Sequence, residues 1–292
     1  MFEMTGWRAV QATRSQWRRD PKNSDRRICP VCGLSVFWPN YARGAHMRVH
    51  VKAGWTPPRE EPPLRNDRLI FRGVEIEVPG EVVRNAYHPL GLDIDVPHPH
   101  PHTHGRFASG HPSGVVIHDT VTASARSGFW ALLDRVNDSG QDTTLGTAII
   151  VGAGGIIYQI VRDLDRVTWH ASGWSDYKIG VDMACLVDPR LAPNSPLRRL
   201  RTSWSEARGY IDYTEAQKDA LRTLVKTLCG ALDVPFDCPR EADGRPATRG
   251  YGKGPVRSLV KQGPRYRGVV AHAQISKVRW DGNRALEVLF GR

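Results

Sequence analysis

The chain has 292 residues, 40% hydrophobic and 24% charged, the composition of a globular protein with room for one sizeable core and a smaller module. No uncharged apolar run approaches the roughly 18 residues that a membrane span needs, and the arginine-bearing N-terminus lacks the apolar core of a secretory signal. Membrane insertion is thereby excluded, and the expectation is a chain without a signal peptide that is made in a cytoplasm and leaves it by another route. Of the net charge of +11, residues 1–52 supply +7, with ten Lys/Arg against three Asp/Glu. Such a front end suits an anionic partner, nucleic acid or an anionic cell-envelope polymer; a solvated face that only aids solubility is the plainer alternative.

Five cysteines in a chain this long do not make a secreted disulfide framework. Cys29 and Cys32 have another use. They open a C-x2-C-x13-H-x3-H pattern completed by His46 and His50. Zinc takes four tetrahedral nitrogen or sulfur ligands, one tight turn presents both thiolates, and histidines at i and i+4 share a helix face. The spacing resembles a Cys2His2 zinc finger with one extra residue between the pairs, so residues 1–55 are expected to form a small module stapled by a structural zinc. The helix segment PNYARGAHMRVH has few side chains suited to base edges, which favours docking over sequence-specific readout.

TPPREEPP then reads as a stiff, extended linker. RLIFRGVEIEVPG suggests a short hairpin, and the alternating histidines His98 to His104 suggest an extended spacer, so 56–113 is expected to join two domains. From Gly114 the periodicities sharpen. VVI predicts a strand, and Phe129, Leu132, Leu133 and Val136 fall on one helix face. TAIIV and IIYQIV predict a strand pair turned by GAGG. Thr214 and Gln217 form a capping box before a helix whose apolar face holds Leu221, Leu224, Val225 and Leu228. Interleaved strands and helices predict an α/β domain over 114–292.

Within it, GVVIHD stops an apolar run on His118, and GVVAH repeats the event at His272, with Asp281 in a following loop. A strand-end histidine is most often structural. Two of them with one carboxylate make a three-ligand zinc site whose fourth position is open to water.

These landmarks carry a wider resemblance. His118 with Thr120, Gly154 to Gln159, Trp169-His170-Ala171-Ser172, Lys178 to Asp182, Tyr213 to Gln217, and His272 with Arg279-Trp280-Asp281-Gly282 occur in the order of the motifs of one family. From about Gly114 to Arg292 the chain resembles the zinc-dependent N-acetylmuramoyl-L-alanine amidases, which include peptidoglycan recognition proteins and phage lysozyme-type amidases. The resemblance implies a central mixed β-sheet flanked by helices, peptidoglycan as partner, and a catalytic zinc on His118, His272 and Asp281. It further implies Asp182 as proton acceptor and Arg279 as oxyanion stabiliser. His170 would contact substrate or orient a ligand, Thr120 would lie in the substrate site, and Trp174, like Trp204, would either stack on sugar or pack in the core. Trp130 and Trp169 are expected in or near the core. The organisation as a whole suggests a phage endolysin held in the host cytoplasm until lysis.

Three positions depart from the family pattern. Thr147 stands where many members have a tyrosine, Asp182 replaces glutamate, and Arg279 replaces lysine, which keeps the charge but removes a usable proton. Competing readings are a family member that binds wall fragments without cutting them, a nucleic-acid-binding finger protein with a relic amidase fold, and a zinc peptidase acting within the stem peptide. Spacing does not say whether Cys229 and Cys238 pair.

Overall fold

The computed structural model describes residues 18–20, 23–28, 35–37, 68–85, 103–122, 125, 128, 146–161, 163–190, 193–202, 204, 209–248 and 250–291. Contacts divide the chain into one unit of residues 1–62 with 95–98 and another of 63–94 with 99–292. In the first, β1 (Arg18–Asp20), β2 (Asn23–Ile28) and β3 (Ser35–Phe37) form an antiparallel sheet in that order. The finger residues Cys29, Cys32, His46 and His50, the linker prolines, His98 to His102 and the amphipathic stretch Phe129 to Val136 with Trp130 lie outside the described residues.

The second unit opens with the hairpin β4 (Arg68–Phe71) and β5 (Val74–Glu77), followed by β6 (Val83–Asn85) and β7 (Thr103–Arg106). The strands β8 (Gly114–Asp119), β9 (Ile149–Val151), β10 (Ile157–Gln159), β11 (Arg166–Thr168) and β12 (Ile179–Met183) come next, and after the pair β13 (Arg199–Arg201) and β14 (Gly209–Ile211) the last strand is β15 (Gly268–Ala271). Its helices are α1 (Glu215–Ala231), α2 (Val256–Gln262), α3 (His272–Ile275) and α4 (Asn283–Phe290). A mixed six-stranded sheet in the order β15-β8-β12-β9-β10-β6 is the centre. β15, β8, β12 and β9 run parallel, β10 turns back antiparallel to β9, and β6 runs parallel to β10. Every residue of β8, β12 and β15 is buried, which is why these strands read as continuous apolar runs rather than alternations.

α1 starts where Thr214 accepts from the Gln217 amide at 3.1 Å, the capping box expected from the sequence. The Gln217 carboxamide also donates to the carbonyl of Ala184 at 3.0 Å, tying the helix start to the chain leaving β12. Leu221, Leu224, Val225 and Leu228 are buried against the sheet.

The structure moves the edge of this unit toward the N-terminus. Arg68–Asn85, expected within a linker, pack into the sheet's own core through Leu69, Phe71, Val78 and Val83. The hairpin is fixed by polar contacts as well: the Asp163 carboxylate accepts from the amides of Arg72 (2.7 Å) and Gly73 (2.8 Å), and Gln159 Oε1 accepts from the Ile70 amide at 2.7 Å. The end of the histidine run likewise belongs to a strand, since β7 pairs with β11. The apolar residues of 68–83 carry too weak a periodicity to separate a spacer hairpin from a core one.

Lys178 is fully buried just before β12. Its Nζ donates to Ser113 Oγ (3.0 Å), ahead of β8, and to the Tyr266 carbonyl (2.5 Å), ahead of β15, so one ammonium staples the starts of three adjacent strands. Trp174 and Tyr266 lie within 6 Å of it with their rings. Among the described residues no carboxylate pairs with it, and burial lowers its pKa to about 7.

Two outcomes follow from this packing. Leu69→Ala is expected to lower stability by about 2–5 kcal/mol, against less than about 0.5 kcal/mol for Val74→Ala at the exposed side of the same hairpin, as read from urea midpoints. Equal, small effects would return the hairpin to the linker. For Lys178, the unfolded chain holds a proton between pH about 7 and about 10 that the folded chain has released, so stability rises with pH across that window. Lys178→Met is expected to flatten the rise in urea midpoint between pH 7 and pH 9; parallel slopes in the two chains would contradict it.

Candidate metal centre

The carboxyl ends of β8, β12 and β15 meet along one sheet edge. His118 lies directly across from Asp182 in the β8–β12 register, and Ala271, the residue before His272, is aligned with Ile117. His272 therefore follows its strand at the level of His118. At this edge β15 gives way to α3, and the buried Gln274 holds the turn, accepting from the Ala271 amide at 3.0 Å and donating to the Ala247 carbonyl at 2.7 Å.

Asp281 returns to this edge through the loop after α3. The Ala273 amide donates to its carbonyl at 3.0 Å, and the next amide, of Gly282, donates to Asp119 Oδ2 at 2.8 Å. Gly282 has φ +85°, and a Cβ there would strike the Ile117 carbonyl, so only glycine lets the loop cross β8 this closely.

Three ligand atoms converge as a result. His118 Nδ1 is 3.0 Å from His272 Nδ1, His272 Nδ1 is 3.1 Å from Asp281 Oδ2, and His118 Nδ1 is 3.7 Å from that same oxygen. Tetrahedral zinc with bonds of roughly 2.0–2.2 Å separates its ligand atoms by about 3.3–3.5 Å. The three observed edges bracket that spacing, and two imidazole nitrogens with one carboxylate oxygen form a donor set zinc accepts, so the residues fit the ion. They are the one His/Cys/Asp/Glu cluster of this kind among the described residues.

The surrounding electrostatics divide the groups sharply. Burial, with His272 beside it, lowers the His118 pKa to about 4, and burial holds His170 well below the ordinary range, so both rings are neutral. Burial alone would raise Asp281, but the imidazoles of His118 and His272 against its carboxylate, the latter at 3.1 Å, outweigh it and keep it ionised. Asp182 has no such donor among the described residues. Burial and the nearby Asp281 and Asp119 hold its carboxyl far above the usual range.

The expected substrate residues separate into two groups. Thr120 is half-buried at the end of β8, its Oγ1 2.6 Å from that of Thr122, and Arg279 is exposed on the loop that carries Asp281. His170 does not face open space: its Nδ1 is 2.9 Å from His118 Nε2 and its Nε2 is 2.9 Å from the Lys178 carbonyl, so both nitrogens are engaged by protein. For Trp174 the structure favours packing over sugar stacking. It is 7% exposed and packs with Val116, Val256 and Leu259 under Lys178, leaving no face for a sugar. Trp169, expected inside, is 45% exposed beside His170. Trp204 rests against Tyr210 with ring centres 5.1 Å apart and donates to Glu287. Thr147 is buried, its hydroxyl directed at the Ile149 carbonyl (3.3 Å). Cys185, Cys229 and Cys238 are buried free thiols.

Asp119 escaped the sequence reading. It accepts from Tyr213 Oη at 2.6 Å and from the Gly282 amide, so it anchors the ligand loop, and burial raises its pKa to about 6. Strand parity was the available signal: adjacent residues face opposite sides, so a carboxylate following a site-facing histidine must be satisfied on the other side.

A profile of the N-acetylmuramoyl-L-alanine amidase family matches residues 108–282. No curated protein sequence matches the chain. Among solved structures, the selenomethionine derivative of AmpD is 15% identical with a TM-score of 0.35, over 61% of this chain and 81% of that one. Drosophila PGRP-LB is 16% identical with a TM-score of 0.35, over 63% and 80%. The endolysin amidase LysCS of Clostridium intestinale URNW is 12% identical with a TM-score of 0.34, over 60% and 78%. The profile covers more than half of the residues, from just after β7 to Gly282, and the chain belongs to the N-acetylmuramoyl-L-alanine amidase family.

Proposed function

We propose that the chain is a zinc-dependent peptidoglycan hydrolase that cleaves the amide between the lactyl group of N-acetylmuramic acid and L-alanine of the stem peptide. The observation that carries this is the convergence of His118 Nδ1, His272 Nδ1 and Asp281 Oδ2 beside a buried carboxyl without a partner among the described residues, in a chain of this family. His118, His272 and Asp281 would hold the ion. When bound, zinc polarises the scissile carbonyl, lowers the pKa of the attacking water and offsets the burial that otherwise keeps Asp182 protonated.

Asp182 then takes the proton of that water at its carboxylate and delivers it to the leaving alanine nitrogen. Its short side chain suffices because its strand lies beside that of His118 in direct register. Arg279 stabilises the oxyanion of the tetrahedral intermediate by charge alone, since a guanidinium yields no proton near neutrality. Thr147, with its hydroxyl turned to its own strand, supplies no acid, so proton transfer rests on Asp182. A second zinc on Cys29, Cys32, His46 and His50, attachment of the basic front end to an anionic envelope polymer or nucleic acid, and a lytic role like that of a phage endolysin waiting in the host cytoplasm complete the proposal; these rest on the sequence alone.

Purified sacculi treated with the protein are expected to gain N-terminal alanine amines without new reducing sugar ends, and a chelator should stop the reaction until zinc is restored. Amines on other residues would indicate a stem-peptide peptidase, and binding without any new amine a non-catalytic wall receptor. His118→Ala is expected to lose both cleavage and zinc at this site; full activity would remove it as a ligand. Asp182→Asn should lower turnover by about 10²–10⁴-fold with zinc content equal to that of the unaltered protein, and loss of zinc would recast the residue as a ligand.

A further inference from the structure

We propose that His170 is a positioning residue: through the Lys178 carbonyl it commits His118 to the tautomer whose Nδ1 carries the lone pair aimed at the cation. This rests on the reading of His118, His272 and Asp281 as zinc ligands.

The proton positions follow from one fixed acceptor. A carbonyl oxygen only accepts, so His170 Nε2, 2.9 Å from the Lys178 carbonyl, is the donor and carries the ring's proton. Nδ1 of the same neutral ring is then bare. At 2.9 Å from it, His118 Nε2 must donate, which places the proton of His118 on Nε2 and leaves its Nδ1 as a lone pair. That Nδ1 is the atom 3.0 Å from His272 Nδ1 and 3.7 Å from Asp281 Oδ2. A metal-ligating histidine whose other nitrogen is fixed in this way presents a basic, oriented ligand.

Both ends of the relay are built to stay in place. The Lys178 backbone is anchored by its own side chain, bonded to Ser113 Oγ at 3.0 Å and to the Tyr266 carbonyl. The His170 backbone is held by Ser175, whose Oγ accepts from the amides of His170 (3.0 Å) and Ala171 (2.8 Å). The imidazole lies directly on Gly180 of β12, where a Cβ would stand 2.7 Å from His170 Cγ and 2.8 Å from Cδ2. Glycine at this strand position thus makes room for the relay. His272 has no corresponding arrangement: among the described residues no hydrogen bond engages its Nε2, so one ligand is prepared and the other is left to adjust.

The test uses the full-length protein with ¹⁵N-labelled histidine, following the His118 ring nitrogens by NMR in the zinc-free state and then in chelator-buffered zinc, so that occupancy is read at this site and not at the finger. His118 is expected to be protonated at Nε2 before zinc is added, with its Nδ1 resonance shifting on titration. His170→Leu should give mixed His118 tautomers and raise the half-saturating zinc concentration by about 10–100-fold. In His170→Asn, Oδ1 takes the place of Nδ1 as acceptor and should recover most of that loss, while Gly180→Ala, which displaces the ring without removing it, should weaken zinc in the same direction. A zinc-free His118 protonated at Nδ1, or wild-type zinc affinity in His170→Leu, overturns the proposal, and the first of these is decided in the unaltered protein even if the variants do not fold. Zinc binding with the relay intact but no alanine amine released from sacculi would sink the amidase reading and leave the relay standing. A His118 resonance indifferent to zinc would sink the metal reading itself.

Discussion

Everything at this site depends on the lateral register of three parallel strands. β15, β8 and β12 are neighbours in the sheet, and pairing His118 with Asp182 and Ala271 with Ile117 brings two imidazoles and a carboxyl to one edge without any long side chain reaching across the molecule. Ligand sites at the carboxyl ends of parallel strands are a general property of such sheets. Here the dependence is strict, because a slip of one residue would turn His118 to the opposite face and present Asp119 in its place.

Two aspartates at nearly the same height show how burial is turned to different ends. Asp119 is surrounded by donors, Tyr213 Oη and the Gly282 amide, and its carboxylate holds the backbone next to Asp281. Asp182, on the adjacent strand, has burial without donors among the described residues and two other carboxylates nearby, the arrangement that makes a carboxyl hold its proton most strongly. An unpaired buried charge is expensive, so a protein gains nothing in stability from this placement. A proton acceptor whose affinity depends on a nearby cation is what the proposed hydrolysis needs, and the same environment provides it.

Much of this was legible in the chain. Histidines that end apolar runs, the capping box at Thr214 and the hairpin around Gly154 are local patterns, and local patterns survive folding. The aspartate at 281 was weaker, a loop acid nine residues after His272 that completes a zinc set only in company with the two strand-end histidines, and the motif order of a family is what strengthened it. Three features stayed hidden because they are made by distant segments. Arg68–Asn85 joins the core through pairings with residues more than 70 positions away. Trp174 is buried and Trp169 is not because burial is set by residues such as Val116, Val256 and Leu259, contributed by other elements to the cluster around Trp174. His170 and Lys178 become partners of the site through a carbonyl, and backbone groups leave no trace in residue identity.

The loop between His272 and Asp281 joins these levels. Its base is fixed twice, by the Ala273 amide on the Asp281 carbonyl and by the Gly282 amide on Asp119, while its tip stands in solvent, with Val278 80% exposed and Arg279 exposed beside it. A loop pinned at both ends and open in the middle separates two tasks that would otherwise conflict. The Asp281 carboxylate is held in place, because its neighbours are tied to a helix start and to a buried acid. The cationic and apolar side chains of the tip can still meet a long polymer without disturbing the metal-binding geometry. In the proposed reaction this separation would let Arg279 approach the developing oxyanion from an exposed side chain on a fixed base: reach and charge would be retained where the family pattern has lysine, and Asp182 would move the proton instead.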